Sequence, residues 1–317
     1  MTSTLAMKIV FCCTNTKAEP WLEGFRQALP GVDIWEWQAA QPGQVPKMAD
    51  HAVVWSPPQS FLDEQTQLQN LFNIGAGVDA LLKLKMPTSL NIVRLNDAGM
   101  SVQMAEYVCH AVIRYFREFD HYDKDAQAQR WSYRKPTLRA DFSVGILGAG
   151  VLGSHVAKTL QAFEFPVNVW SRSPKHIESV TSFSGAAQLP EFLKATRVLV
   201  NLLPLTPDTE DILNRDHLMQ LQKGAYLINV ARGRHLVEQD LLDALAAGHM
   251  AGATLDVFRE EPLPQGHAFW THPQITVTPH TSARTLREES IAQIAGKIKA
   301  VYAGQAIEGR VDKVRGY

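Results

Sequence analysis

Short apolar runs recur along this chain and alternate with longer stretches whose apolar positions fall three and four residues apart. The runs predict strands over residues 8–12, 32–37, 52–55, 70–74 and 92–95 in the first half. In the second half they predict strands over 142–147, 167–170, 198–202, 225–229, 252–255 and 275–277. Helical spacing predicts helices over 21–29, 102–119 and 151–163, with a polar stretch rich in Gln, Asp, Arg and Lys after the second. Strand and helix in alternation mean parallel sheets covered on both faces. No repeat of solenoid period and no low-complexity tract interrupts the pattern. A chain of 317 residues is long for one core and suits two domains.

The run at 142–147 leads into Gly148-Ala149-Gly150-Val151-Leu152-Gly153, and a helical pattern follows at once. Strand, glycine turn, helix is the context a dinucleotide-binding turn requires. The first glycine permits a tight turn, the second lets backbone approach a pyrophosphate, and the third lets helix pack closely on strand. The helix N-terminus then offers N–H groups and a favourable dipole to phosphate. An acidic residue for the ribose 2′-hydroxyl is expected at the end of the next strand. This chain has Ser171-Arg172-Ser173-Pro174-Lys175 there instead. Arg172 can clamp a 2′-phosphate in fork geometry, Lys175 adds charge, and Ser171 and Ser173 add hydroxyls, which favours NADP(H) while leaving NADH possible. The plainer reading is a solvated turn with two cations.

Composition narrows the function classes. Hydrophobic residues at 45% and charged residues at 20% describe an ordinary globular protein. A net charge of -1 without a basic block gives no case for nucleic acid or an anionic membrane as partner. The three cysteines do not suggest a disulfide framework, and adjacent Cys12 and Cys13 in a strand-like run read as buried packing. No spacing of cysteine and histidine suggests a metal site. Residues 1–6 are short and polar, with Met7 a second candidate start, and do not read as a signal peptide. No apolar run reaches membrane-spanning length. These features suit a cytoplasmic enzyme.

In an open α/β sheet, ligands bind outside the carboxyl ends of the strands. The residues just past the later strands are therefore the candidate site. They are Leu203 and Pro204, then Val230, Ala231 and Arg232, then Asp256, then Thr278-Pro279-His280. That set suits hydride transfer to a ketone, whose oxygen gains negative charge and needs a proton donor. Histidine is the side chain whose unperturbed acidity lies nearest neutral. A nearby carboxylate stabilises the imidazolium and fixes the ring. Either Glu260 or Glu261 can supply it on pattern alone. Arg232 can bind a carboxylate or polarise a carbonyl. Asp256 can orient a nicotinamide amide, or serve only as a loop or cap residue.

Several segments taken in order resemble the D-isomer-specific 2-hydroxyacid dehydrogenase family. They are Gly145 through Gly153, Leu202-Leu203-Pro204-Leu205-Thr206-Pro207-Asp208-Thr209, Leu227 through Gly233, Leu255-Asp256-Val257-Phe258 continuing to Glu261-Pro262-Leu263-Pro264, and Thr278-Pro279-His280. Gly75-Ala76-Gly77-Val78-Asp79 in the first half also fits. The resemblance implies two doubly wound parallel-sheet domains, a Rossmann cofactor domain over 99–285 and a flavodoxin-like substrate domain over 1–98 and 286–317, with a cleft between them. It implies NADPH-dependent reduction of small 2-oxo acids of the size of glyoxylate and hydroxypyruvate. It selects Glu261 over Glu260, makes Arg232, Glu261 and His280 the catalytic set, and makes Ala76 and Gly77 backbone donors to the substrate carboxylate. It further implies a homodimer joined through the cofactor domain, with the stretch Arg130-Trp131-Ser132-Tyr133 where an intersubunit arm would lie. Thr281-Ser282-Ala283 departs from the small or aliphatic residue and glycine that many members carry after the histidine.

Three rival readings remain. A nucleotide-sensing corepressor of this fold could keep the same three residues, but the disordered extensions expected of a scaffold are not evident. A formate dehydrogenase would have glutamine at Glu261, since hydride leaves formate with no proton to donate. Phosphoglycerate dehydrogenases commonly carry a further regulatory domain, although short forms exist.

Overall fold

The structure, a computed structural model, describes residues 7–317. The choice between Met1 and Met7 as start, and the reading of residues 1–6 as no signal peptide, lie outside the described residues. The chain divides into two compact units, one formed by the residues up to Gly99 together with Thr285–Tyr317, the other by Met100–Arg284.

In the smaller unit, β1 (Lys8–Cys13), α1 (Glu19–Ala28), β2 (Asp33–Glu36), β3 (His51–Trp55), α2 (Gln59–Glu64), β4 (Asn70–Asn73) and β5 (Asn91–Val93) follow in sequence. The strands form one parallel sheet in the order β2-β1-β3-β4-β5, the flavodoxin-like order. The middle of β1, most of β3 and all of β4 are buried because helices cover both faces, whereas the edge strand β2 buries only Ile34. The Cys12 side is buried as expected, but Cys13 is half-exposed at the strand end. Burial, largest among the causes, pushes the Cys12 thiol up to about 12 and that of Cys13 still higher, so both stay protonated.

The larger unit opens with α3 (Met100–Phe116) and α4 (Phe119–Gln127). Sequence spacing predicts a single helix over 102–119, yet Glu118 adopts a left-handed conformation with φ 56° and breaks it. Arg114 then reaches across the break to Asp120 at 2.6 Å and Asp123 at 2.5 Å. No glycine or proline marks the break, so the pattern gave no warning. After it come β6 (Val144–Leu147), α5 (Val151–Ala162), β7 (Val167–Ser171), β8 (Thr181–Ser184), α6 (Gly185–Lys194), β9 (Val198–Asn201), α7 (Arg215–Leu218), β10 (Ala225–Asn229), α8 (Glu238–Ala246), β11 (Met250–Leu255) and β12 (Ile275–Val277). The helix α9 (Arg287–Tyr302) returns to the smaller unit, where Ile291 packs against Gly24 of α1.

All seven strands of the larger unit are parallel, in the order β12-β11-β10-β9-β6-β7-β8. The order reverses direction between β6 and β9, which is the switch point where a doubly wound sheet binds its ligand. One apolar cluster lies under each face, one built on Val144, Ile146, Val156 and Ile228 with α3, the other on Leu199, Leu227, Leu255 and Phe269. The edge strand β8 was not predicted. It reads Thr-Ser-Phe-Ser, buries only Phe183, and is extended because it pairs with β7, which local sequence does not reveal. No helix among the described residues is long and apolar enough to cross a membrane.

Candidate active site

The glycine turn sits between β6 and α5 as the pattern requires. Gly148 has φ 103°, and a side chain there would also strike the Leu202 carbonyl at 2.8 Å. A Cβ on Gly153 would meet the Gly148 carbonyl oxygen at 1.8 Å, so helix and strand are as close as backbone allows. A Cβ on Gly150 would meet nothing within 4 Å. Open space at that glycine, beside the N–H groups of the first turn of α5, fits an approaching pyrophosphate. Val151 and Leu152 begin that turn, and Val151 is exposed.

At the end of β7, Arg172, Ser173 and Lys175 are exposed. Ser171 is buried, and its hydroxyl donates to the Ser173 carbonyl at 2.8 Å. It therefore shapes the turn, and its proton is engaged there instead of standing ready for a ligand. No acidic side chain stands in this turn.

Asn201 and Asn229, which close β9 and β10, are both fully buried and were missed in the sequence. Asn201 Nδ2 donates to Asn229 Oδ1 at 3.0 Å, Asn201 Oδ1 accepts from the Leu203 N–H at 3.2 Å, and Asn229 Oδ1 accepts from the Ala231 N–H at 3.3 Å. Asn229 Nδ2 donates to the Arg232 carbonyl at 3.1 Å. One amide pair thus sets the Leu203-Pro204 and Val230-Ala231-Arg232 loops together. The available signal was a polar residue ending each of two otherwise apolar strands.

Arg232 is half-buried, and its Nη1 donates to the Ala231 carbonyl at 2.7 Å. The next residue, Gly233, lies so close to Phe258 that a Cβ would stand 1.8 Å from the Phe258 carbonyl carbon. Only glycine lets the Arg232 loop pack on the loop that carries Glu261. Glu261 Oε1 accepts from the Phe258 N–H at 3.0 Å, and its Oε2 lies 2.8 Å from His280 Nδ1. A carboxylate only accepts, so His280 Nδ1 carries the hydrogen and Nε2 is left for a ligand. Burial raises the Glu261 pKa, but the hydrogen bonds from His280 and Phe258 and the charges of His280 and Arg232 outweigh it, holding the carboxyl below its usual range.

Asp256, directly after β11, is fully buried. Its Oδ1 accepts from Thr278 Oγ1 at 2.6 Å and from the Thr281 N–H at 2.8 Å, and its Oδ2 accepts from the Ser282 N–H at 2.8 Å. The departing residues Thr281 and Ser282 are thereby tied down through their backbone. Ala76 and Gly77 belong to the smaller unit, in the bend after β4. Buried Asn73 donates to the Gly75 carbonyl at 3.0 Å and to the Gly77 carbonyl at 2.9 Å, which fixes the bend. The Trp55 ring lies against Gly75, where a Cβ would stand 2.4 Å from it. Among the described residues no group of His, Cys, Asp and Glu could hold a metal ion.

A doubly wound sheet, its glycine turn and an arginine, a glutamate and a histidine at the strand ends define a nicotinamide-dependent dehydrogenase fold. Residues 109–282 match the D-isomer specific 2-hydroxyacid dehydrogenase, NAD binding domain, and the chain belongs to that family. It is 47% identical to the glyoxylate/hydroxypyruvate reductase A of Yersinia enterocolitica, over 98% of this chain and all of that one. It is similar to the crystal structure of a D-isomer specific 2-hydroxyacid dehydrogenase from Xanthobacter autotrophicus Py2 in complex with NADPH and MES, with TM-score 0.92, 36% identity, and 98% and 100% of the two chains covered. It is also similar to an NADPH-dependent glyoxylate/hydroxypyruvate reductase from Sinorhizobium meliloti in complex with NADP and sulfate, with TM-score 0.90, 34% identity and the same coverage.

Proposed function

We propose that this protein reduces small 2-oxo acids with NADPH, glyoxylate to glycolate and hydroxypyruvate to D-glycerate. The observation that carries the reading is the His280–Glu261 pair, at 2.8 Å, in the same unit as a glycine turn with room for a pyrophosphate. NADPH, when bound, supplies the hydride. Gly148, Gly150, Val151, Leu152 and Gly153 would hold its pyrophosphate, and Leu203, Pro204, Val230, Ala231 and Asp256 would line the nicotinamide side. His280 Nε2 would donate a proton to the substrate oxygen while Glu261 balances the imidazolium charge. Arg232 would hold the substrate carboxylate and polarise its carbonyl, with Ala76 and Gly77 as backbone donors. The direct test is kcat/KM for a panel of 2-oxo acids with NADPH and with NADH. Absence of turnover with every 2-oxo acid would reject the reading in favour of a binding protein.

Cofactor choice gives a sharper expectation. Arg172, Ser173 and Lys175 would bind the 2′-phosphate, with Ser171 holding their turn. Arg172→Ala should weaken NADPH binding about 10–100-fold and change NADH binding far less, the size of one lost bidentate charge-assisted contact. High salt should narrow the gap between cofactors because these side chains are exposed. Equal kcat/KM for the two cofactors in the parent at low salt would reject phosphate recognition.

The protein is further proposed to be a cytoplasmic homodimer joined through the larger unit. All three cysteines are free, which suits a reducing compartment. Buried Asp125 accepts from Arg130 and from Ser132, and Arg134 donates to Glu118 at 2.7 Å, so the stretch after α4 is pinned to it. Trp131, Tyr133 and Leu138 on this stretch are nonetheless exposed, which suits burial against a second copy. Sedimentation should give a dimer for the parent and a larger monomer fraction for Trp131→Ala. A parent that sediments as a monomer would exclude the dimer.

A further inference from the structure

His280 is held in a left-handed backbone conformation, φ 53°, although it is not glycine. Such a conformation costs free energy and persists only where the surroundings fix it. What fixes it is visible. The Asp256 carbonyl accepts from the His280 N–H at 2.8 Å, and the Asp256 carboxylate accepts from the next two N–H groups, those of Thr281 and Ser282. Asp256 thus grips three consecutive residues, His280 through its backbone carbonyl and Thr281 and Ser282 through its carboxylate.

That carboxylate is oriented from farther away. Thr278 Oγ1 lies 2.6 Å from Asp256 Oδ1, and Tyr107 OH lies 2.5 Å from Thr278 Oγ1. The direction of this chain follows from what each group can give. A carboxylate only accepts, so the Thr278 hydroxyl gives its single proton to Asp256, and Tyr107 must be the donor to Thr278. Burial pushes the Tyr107 phenol up to about 12, so it keeps the proton it donates. Hydrogen bonds aligned in one direction polarise and strengthen one another. Tyr107 sits on α3, whose buried face packs into the same apolar cluster as β6 and α5, so its hydroxyl hangs from a rigid element.

We propose that Tyr107 and Thr278 are positioning residues for the proton donor, acting through Asp256 to hold the His280 backbone in the geometry that delivers the proton. Neither residue is asked to touch substrate. The inference rests on His280 being the acid, so its failure must be separable from a failure of that assignment.

The test uses Tyr107→Phe, Thr278→Val and Thr278→Ser in the full-length enzyme with glyoxylate and NADPH. Tyr107→Phe and Thr278→Val should each lower kcat about fivefold to tenfold, the scale of one lost hydrogen bond at a buried group, with both KM values within about twofold of the parent. The solvent deuterium isotope effect on kcat should rise, because proton delivery becomes slower. Thr278→Ser keeps the hydroxyl and should restore kcat. Tyr226→Phe removes a neighbouring tyrosine hydroxyl that bonds Thr254 at 2.9 Å and should leave kcat at the parent value. In the His280→Ala background, Tyr107→Phe should cost nothing further, since it acts through the imidazole. A parental kcat and isotope effect in both Tyr107→Phe and Thr278→Val, or a full additional loss on top of His280→Ala, overturns the proposal. A parental kcat in His280→Ala alone instead overturns the acid assignment. If Tyr107→Phe fails to fold, the Val and Ser variants of Thr278 still decide the matter.

Discussion

His280→Ala is expected to lower kcat for 2-oxo acid reduction by roughly 10²–10⁴-fold, the usual size of general acid catalysis, while NADPH still binds. The loss falls on kcat because the imidazole acts where charge develops on the substrate oxygen. NADPH binding is expected to rest on the glycine turn and the Arg172 turn, which hold its phosphates and which the substitution does not touch. Glu261→Gln tests the partner. The Glu261 carboxyl is held below its usual range, the opposing effect of burial being outweighed by its hydrogen bonds to His280 and Phe258 and by neighbouring charge. It therefore stays ionised as pH falls through the ordinary carboxylate range, and the pair is kept on the acidic side of the rate profile. With glutamine the counter-charge is gone at every pH. The hydrogen bond that holds the ring then loses its charge assistance, and kcat should fall across the whole pH range. Measuring kcat against pH for the parent and both variants, with NADPH binding followed by fluorescence, checks all three statements. Full kcat in His280→Ala would sink the assignment.

Arg232→Ala should lower kcat/KM for a 2-oxo acid by on the order of 10³-fold, as expected for two charge-assisted hydrogen bonds at ~2 kcal/mol each. Arg232→Lys keeps the charge but loses the planar fork, so it should recover only part of the activity. The same logic predicts poor reduction of a neutral aldehyde that lacks the carboxylate. Rates for glyoxylate and for an uncharged aldehyde of the same size, in parent and variants, separate anchoring from loop structure. If the parent reduced both equally well, Arg232 and the bend at Ala76 and Gly77 would have no anchoring role.

Much of the fold was legible because strand, turn and helix leave local marks. The apolar runs, the Gly148–Gly153 turn and the polar residues past each strand are determined within a few positions. The elements that went unread lacked such marks. Edge strand β8 is polar and extended only because β7 lies beside it. The break at Glu118 comes without glycine or proline, its flanks bridged by an arginine and two aspartates whose meeting depends on how α4 turns. Ser171 looked like a ligand donor, and the turn it sits in takes its proton.

By itself the sequence determined which chemical groups stand at the strand ends, because a strand end is a local feature and residue type is read directly. It left Glu260 and Glu261 open on pattern, since adjacent acids in a loop differ only in where the backbone aims them. Tertiary structure decided that Glu261 meets His280, and that Asn201 and Asn229 join to set two loops. It also decided that Asp256 grips the His280 backbone, and that Tyr107, 171 residues before Thr278, supplies the hydrogen bond behind it. Those pairings depend on strand order and on which face each helix covers. Neither is encoded near the residues that meet, so each became visible only once the sheet was assembled.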